Sequence, residues 1–272
     1  MTGVEVISHD GPARLGRFTR AGRTTWTPSA CYLAGEREGT RFFDIGEGSG
    51  IRLSIPPHPG VFREGQQRAY RDLRDEYLIR SSYVPAKADG DGCLLVGGPV
   101  PPEDASSRCF ALGPGGRSAL AGTVAGLIEL RKAISPNAAV IVLGAEVWAF
   151  PLLVLAGADI LCDSHAVSCT LSGRMLFESY TLPAEGTQDP CCCPHCSGTG
   201  KPTPERLAAH NRWIVGKVLS EIRNRIRIGE IKHLAEERAV SHPDTMATLK
   251  RLYREHFEYL EEYTTVRPGA DS

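Results

Sequence analysis

Four cysteines fall within six residues, Cys191-Cys192-Cys193-Pro194-His195-Cys196, and His210 follows fourteen positions after the last of them. Thiols this close cannot all pair with one another as disulfides without severe backbone strain. They can, however, surround one soft divalent ion. Zinc takes four tetrahedral sulfur or imidazole ligands, and Cys191, Cys193, Cys196 and His210 supply that number, with Cys192 as a spare or substitute. Four protein ligands leave no position for water, so a Zn2+ bound there is expected to be structural. Further side chains with the means for chemistry are acids at predicted strand ends: Glu146 just past Gly144, and Asp163 just past Ile160-Leu161-Cys162. Asp44, Asp89 and Asp91 are other available acids. Gly97-Gly98 and Gly115-Gly116 close two more apolar runs, where the backbone either turns tightly or approaches a ligand closely.

The segments that must position these residues alternate in character. Residues 1 to about 65 are glycine-rich and strand-like, with Ala13–Phe18 and Thr24–Thr27 reading as a hairpin, and Gln66–Tyr77 reads as a polar helix. From 92 to 182, short apolar runs alternate with helical segments: Cys93–Val96, Cys109–Leu112, a helix over Leu120–Ile134, a strand over Ala139–Leu143, a helix over Trp148–Ala156 and a strand over Asp159–Cys162. Buried β-branched runs separated by helices predict a parallel α/β arrangement. After the cysteines, Thr203 is an N-cap, Pro204 fits the first turn and Gly229 stops a long helix. Leu207, His210, Ile214, Val218, Leu219, Ile222 and Ile226 share one face of it, so His210 points inward where the cysteine loop can meet it. Trp213 lies off that stripe, as an exposed aromatic that an interface would cover. The opposite face carries Arg212, Lys217, Arg223, Arg225 and Arg227, which reads as a solvated face or as a ridge for phosphates. A last helix is expected over Pro243–Tyr263, and residues 267–272 read as a disordered tail.

At 272 residues and 42% hydrophobic content the chain suits one large domain, or a domain plus a small appendage. We divide it into a barrel-type domain, 1–186, and a zinc module with C-terminal helices, 187–266. The net charge of −1 gives no global nucleic-acid signal, so any basic surface is local. The N-terminus lacks a charged region followed by an apolar core, and the longest apolar run, Val147–Ala158, is too short to span a membrane. A reduced, cytoplasmic setting is expected, which favours metal over disulfides for nine cysteines.

The run Cys191-x-Cys193-x-x-Cys196 with a following helix bearing His210-Asn211 resembles the zinc module of tRNA-guanine transglycosylases. The archaeal branch is resembled further by Leu207–Asn211, Glu221-Ile222-Arg223, Ile226–Glu230, Glu237-Arg238-Ala239 and His242-Pro243, and Leu249–Val266, with Glu258–Tyr263, is similar to the close of those domains and of the amino-terminal domain of archaeosine synthase. Leu152–Leu161 is similar to the segment that brings that family's catalytic aspartate into place, and Gly11–Gly16 with Thr27-Pro28 to its first hairpin. The resemblance is densest over 140–266. It implies a TIM-type (β/α) barrel with active-site loops at the carboxyl ends of the strands. It also implies base exchange: an aspartate attacks the ribose anomeric carbon, guanine leaves, and a 7-deazaguanine such as preQ0 replaces it. That sequence follows the logic of a retaining glycosidase, with the target nucleotide taken out of its stack. The implied partners are a guanine-containing nucleic acid, most often tRNA, and a second subunit in a homodimer or heterodimer.

The departures fall on the catalytic residues. The family's aspartate position is Cys162 here, with Asp163 one residue late, and strand alternation sends adjacent side chains to opposite faces. The aspartate-serine-glycine-glycine signature of the second carboxylate is absent, which leaves Glu146 best placed. Only about 190 residues precede the cysteines, tight for eight strand–helix units, so a trimmed barrel is expected. Asp163 and Glu146 are the candidate catalytic pair, and Gly97, Gly98, Gly115, Gly116 and Gly144 the candidate base pocket. Two readings remain. One is a divergent transglycosylase acting on tRNA, DNA or a small nucleoside. The other is a non-catalytic, zinc-stapled subunit or binding module of such a complex.

Overall fold

The apolar runs Ala139–Val142 and Ile160–Cys162 are buried at every position, as strands covered on both faces must be. A computed structural model of the chain describes residues 2–37, 40–55, 94–96, 109–112, 119–185, 191–196 and 203–262. The expected helix at Gln66–Tyr77, the acids Asp89 and Asp91, the pairs Gly97-Gly98 and Gly115-Gly116, and the 267–272 tail lie outside the described residues.

Three strands, β1 (Gly3–Asp10), β2 (Ala13–Arg20) and β3 (Arg23–Thr27), form an antiparallel sheet. The main sheet comprises β4 (Ser29–Arg37), β5 (Thr40–Ile45), β6 (Ile51–Ile55), β7 (Leu94–Val96), β8 (Cys109–Leu112), β9 (Ala139–Val142) and β10 (Ile160–Cys162) in the order β6-β5-β4-β10-β9-β8-β7. From β4 through β7 every neighbouring pair is parallel, whereas β5 and β6 are antiparallel. The last parallel strand thus pairs with the first, Cys162 opposite Cys31, which is the pairing a barrel makes on closing. Yet among the described residues the sheet is open, with β6 and β7 at its edges. The described residues thus form a curled, half-barrel-like sheet in which β4 is followed by two antiparallel strands and not by a helix and a parallel one.

The helices are α1 (Ala119–Ala133), α2 (Phe150–Leu155), α3 (Ser164–Leu171), α4 (Pro204–Ile228), α5 (Ile231–Ala239), α6 (Pro243–Glu255) and α7 (Phe257–Glu262), with a 3-10 turn at Val147–Ala149 before α2. A short hairpin of β11 (Arg174–Leu176) and β12 (Thr181–Pro183) connects α3 towards the cysteines. Helix α4 matches its sequence signals closely. Thr203 accepts a hydrogen bond from the Arg206 N–H at 3.3 Å, Gly229 ends the helix with a left-handed φ of 77°, and the whole inward stripe is buried. The single helix expected over Pro243–Tyr263 is instead broken at His256, whose φ of −131° is not helical.

Two apolar layers result from strand alternation. Ala30, Val140, Val142 and Leu161 face the helices, in the larger cluster with α1, α2 and α4 to α7. Cys31, Ala139, Ile141, Ile160 and Cys162 face the other way, against Val4 and Phe18 of the small sheet and Phe43, Ile45, Ile51 and Leu53. Among the described residues no helix is long and apolar enough to cross a membrane.

Candidate metal centre and the adjoining carboxylates

Helix α4 carries His210 fully buried on its inward face, and the 191–196 turn folds back onto it. The Nδ1 atom of His210 lies 3.4 Å from the sulfur of Cys191, 3.4 Å from that of Cys193 and 3.3 Å from that of Cys196. All four ligand atoms fall within 4.8 Å of one another. A tetrahedral ion with bonds of about 2.3 Å to sulfur and 2.0–2.1 Å to nitrogen sets nitrogen–sulfur edges of roughly 3.5 Å, so the four residues fit a metal of that size. The other ring nitrogen, Nε2, donates to the Leu176 carbonyl at 2.8 Å. That bond fixes the tautomer and leaves the Nδ1 lone pair facing the sulfurs, the usual role of a group bonded behind a ligand histidine. Cys192 is exposed and stands outside the set, as expected of a spare.

The three thiols differ in their environments. Burial pushes Cys196 up to about 12, and its bonds to Cys193 and Cys191 add to the effect. Burial also raises Cys191 and lowers His210, whose imidazole is therefore held neutral. For Cys193 burial is outweighed by hydrogen bonds from Cys196, from the His195 and Cys196 backbone and from Cys191, which hold it below its usual value. A neutral imidazole and thiols that give up their protons on binding are what a metal requires.

Asn211, next to His210, is a residue that the sequence offers only as part of a motif. It is fully buried. Its Oδ1 accepts the Leu176 N–H at 2.7 Å, and its Nδ2 donates to Thr170 Oγ1 at 2.9 Å, to the Arg174 carbonyl at 3.0 Å and more weakly to the Ala166 carbonyl at 3.4 Å. Consecutive side chains thus hold both backbone groups of Leu176.

The two candidate acids stand at the ends of neighbouring strands. Glu146 follows β9 and left-handed Gly144, φ 71°, and precedes the 3-10 turn, its carbonyl accepting the Ala149 N–H at 2.9 Å. Asp163 follows β10, is 2% exposed and occupies the position before the first residue of α3. The segments touch: the Val147 N–H donates to His165 Nδ1 at 3.2 Å, which turns His165 Nε2 towards the Cys169 sulfur at 3.6 Å. Trp148 stacks on His242 at 4.2 Å and meets His165 edge-on at 4.6 Å. Cys169 is not an activated thiol; burial, opposed by Arg174, pushes it up to about 11.

Alternation separates Cys162 from Asp163. Cys162 lies in the apolar layer beside Cys31, where a carboxylate would be costly. The charge of Asp163 instead bears on Tyr32, a side chain packed against the helix-side layer. Burial, then Asp163 and Glu47, push the Tyr32 phenol up to about 12, with the Arg212 guanidinium, 5.0 Å over its ring, opposing them. Tyr32 gave no signal in the sequence beyond its aromatic type. Trp213, expected to be exposed, is half-buried against the core with Lys217 at 5.7 Å from its ring, so its own domain covers it in part.

On the outer side of α4, Lys217, Ser220, Glu221, Arg223, Asn224 and Arg227 line a groove of about 650 Å³ closed by Glu178. Lys217 and Arg238 pair with Glu178, and Arg238 also with Glu221 at 2.5 Å. Arg223 donates to the Pro28 carbonyl at 2.8 Å, and its guanidinium is lowered by burial and, in part, by Arg227.

No family model matches the chain. Among curated proteins it is 32% identical to the tRNA-guanine(15) transglycosylase of Pyrococcus abyssi over 151 residues, covering 52% of this chain and 26% of that protein. The corresponding protein of Thermococcus onnurineus is 40% identical over 123 residues, 42% of this chain and 21% of the relative. That of Methanosarcina mazei is 29% identical over 148 residues, 51% of this chain and 30% of the relative. The chain thus spans only about a quarter of the length of the first of these relatives. About half of the chain is thus similar to archaeal tRNA-guanine transglycosylases, the family that its cysteine cluster and the following helix resemble.

Proposed function

We propose that this chain is a divergent transglycosylase that exchanges guanine for a 7-deazaguanine base in tRNA, on a trimmed (β/α) barrel stapled by one zinc ion. The observation that carries the reading is the position of Asp163: a buried carboxylate at the carboxyl end of the last parallel strand, where barrel enzymes keep their chemistry. Its carboxylate attacks the anomeric carbon of the target ribose, the bond to guanine breaks with both electrons going to the base, and the incoming 7-deazaguanine reverses the step. Glu146, which precedes the 3-10 turn after the neighbouring strand, handles the proton on the departing and arriving bases. Gly144 is a candidate for the base pocket, as are Gly97, Gly98, Gly115 and Gly116, which lie outside the described residues. Zinc, held by Cys191, Cys193, Cys196 and His210, supplies a crosslink and no chemical step. The groove on α4 takes RNA phosphates, and a second subunit docks on the zinc module. The names of the relatives support the reaction class.

A second reading is favoured by one observation. Cys162 stands where the family's aspartate is expected and is 2% exposed among apolar side chains. In this reading the chain keeps the zinc staple and serves as the non-catalytic subunit of a transglycosylase complex. Mass spectrometry of tRNA after incubation with labelled guanine decides between the two. Incorporation of label supports the enzyme, and its absence with tRNA, DNA and nucleosides all tried supports the subunit.

A further inference from the structure

We propose that Asn211 is the positioning residue through which the metal centre holds α3, the helix that Asp163 precedes. The route is continuous in hydrogen bonds. Behind the sulfurs, His210 Nε2 donates to the Leu176 carbonyl at 2.8 Å. The N–H of that same Leu176 donates to Asn211 Oδ1 at 2.7 Å. From the other end of its amide, Asn211 Nδ2 reaches Thr170 Oγ1 in the last turn of α3 at 2.9 Å and the Arg174 carbonyl just beyond it at 3.0 Å. Thr170 Oγ1 in turn donates to the Ala166 carbonyl at 2.9 Å, one turn earlier in α3.

Every polar atom of the Asn211 amide is used, and the residue is fully buried. A buried primary amide with both ends satisfied is a rigid connector, because releasing either end leaves unpaired groups with no water to take their place. Its position next to His210 on one helix means that the metal, by fixing the imidazole, fixes the backbone of Leu176 and the pitch of α4 together. At the far end of α3 are the groups that need fixed placement: Asp163 before the first residue, and His165, which receives the Val147 N–H and meets Trp148 edge-on. The metal is therefore more than a local staple of the 191–196 turn. Its occupancy sets the docking of α3, and by reciprocity the docking of α3 sets the affinity for the metal.

The proposal rests on the metal-centre reading, and its test contains no activity measurement, so a failure of base exchange leaves it standing. The experiment is hydrogen exchange followed by mass spectrometry on the zinc-loaded chain and on the chain stripped with a chelator, with peptides covering Ser164–Leu171. In the unaltered protein, stripping should raise exchange in α3 about ten-fold through local opening. In Asn211→Ala, exchange in α3 should already be raised with zinc bound, and stripping should add less than about two-fold. Zinc affinity of this variant should fall by about ten-fold, at the lower end of what groups behind a ligand contribute. Thr170→Val, which keeps the Asn211–Leu176 bond and removes one acceptor on α3, should roughly halve the zinc-dependent change on a logarithmic scale and decides the matter if Asn211→Ala does not fold. An α3 whose exchange ignores zinc in the unaltered protein overturns the proposal. So does a zinc-dependent change in α3 that is the same in Thr170→Val, or in a folded Asn211→Ala, as in the parent.

Discussion

Arg14 and Asp159 form a bidentate ion pair, Nε to Oδ1 at 3.0 Å and Nη2 to Oδ2 at 2.6 Å, at the amino-terminal end of β10. Asp159 is fully buried and accepts a second guanidinium, that of Arg131 from α1, along with the Val140 N–H at 2.8 Å. Two cations on one carboxylate leave a surplus charge, which backbone carbonyls absorb. Arg131 donates to the carbonyls of Gly157 and Ala138, and Arg14 to those of Ala138 and Pro136. Small sheet, α1 and the last two parallel strands are thereby tied at one point, at the strand ends opposite the candidate acids.

Asp159→Asn should destabilise the fold by about 3–5 kcal/mol, because it leaves buried guanidiniums without their counter-charge. Burial alone would raise the Asp159 carboxyl, but Arg131 and Arg14 outweigh it and hold the group below its usual value. A depressed folded value means that the stabilisation is full above the unfolded carboxylate value of about 3.9 and is lost as pH falls through the lower folded one. Urea unfolding of the two proteins should therefore differ most near neutrality and converge in acid. A gap that does not narrow below the ordinary carboxylate range would contradict the assignment.

One equivalent of zinc should accompany the reduced, purified chain. Cys196→Ser should lose it and Cys192→Ser should not, since Cys192 is exposed and outside the cluster. With free zinc at a thousand times its dissociation constant, binding adds about 4 kcal/mol to stability, or roughly 10 °C in the melting temperature. Metal analysis and melting curves of the three proteins check this. Zinc retained by Cys196→Ser refutes the ligand set.

If Asp163 is the nucleophile, Asp163→Asn should reduce guanine exchange by at least ~1000-fold while binding of the base persists, the pattern expected when a group acting only in the transition state is removed. Denaturing gels should show an RNA–protein adduct with the parent and none with the variant. Exchange at the parental rate in Asp163→Asn would move the chemistry elsewhere.

RNA binding should depend on the α4 groove. Replacing both Arg223 and Arg227 with Gln should flatten the plot of log affinity against log salt by about 1.4–1.8, two phosphate contacts' worth. Arg251→Gln, on the exposed side of α6 and paired with Glu255 at 2.6 Å, should leave the slope unchanged. Filter binding across a salt series separates these outcomes, and equal slopes for all three proteins would exclude the groove.

Legibility in the sequence tracked how local the cause was. Thr203, Pro204 and Gly229 act on backbone within a turn of themselves, and α4 begins and ends where they direct. The ligand set was readable because spacing alone limits which thiols can share an ion. The alternation that separates Cys162 from Asp163 was also readable: Cys162 lies in the apolar layer, whereas the charge of Asp163 bears on Tyr32. What stayed hidden depends on partners far along the chain. Nothing near Asn211 announces the backbone of Leu176, and nothing near Asp159 announces Arg14. The antiparallel pairing of β5 and β6 beside β4 was hidden for the same reason: an apolar run does not state which edge it will join. The half-buried Trp213 shows a further limit, since residues flanking a helical stripe are covered by whatever packs beside it.

The pairing of β4 with β10 also sets an order for assembly. Cys31 cannot meet Cys162 until the chain between them has been made and its strands laid side by side. A ribosome adding ~5–20 residues per second would emit β4 several seconds before its neighbour, with its hairpin partner β5 in place on one edge and the other edge bare. Contacts so distant along the chain slow folding because a long loop must close before they form. Until then the bare edge of β4 is where a stalled or truncated product would begin to aggregate.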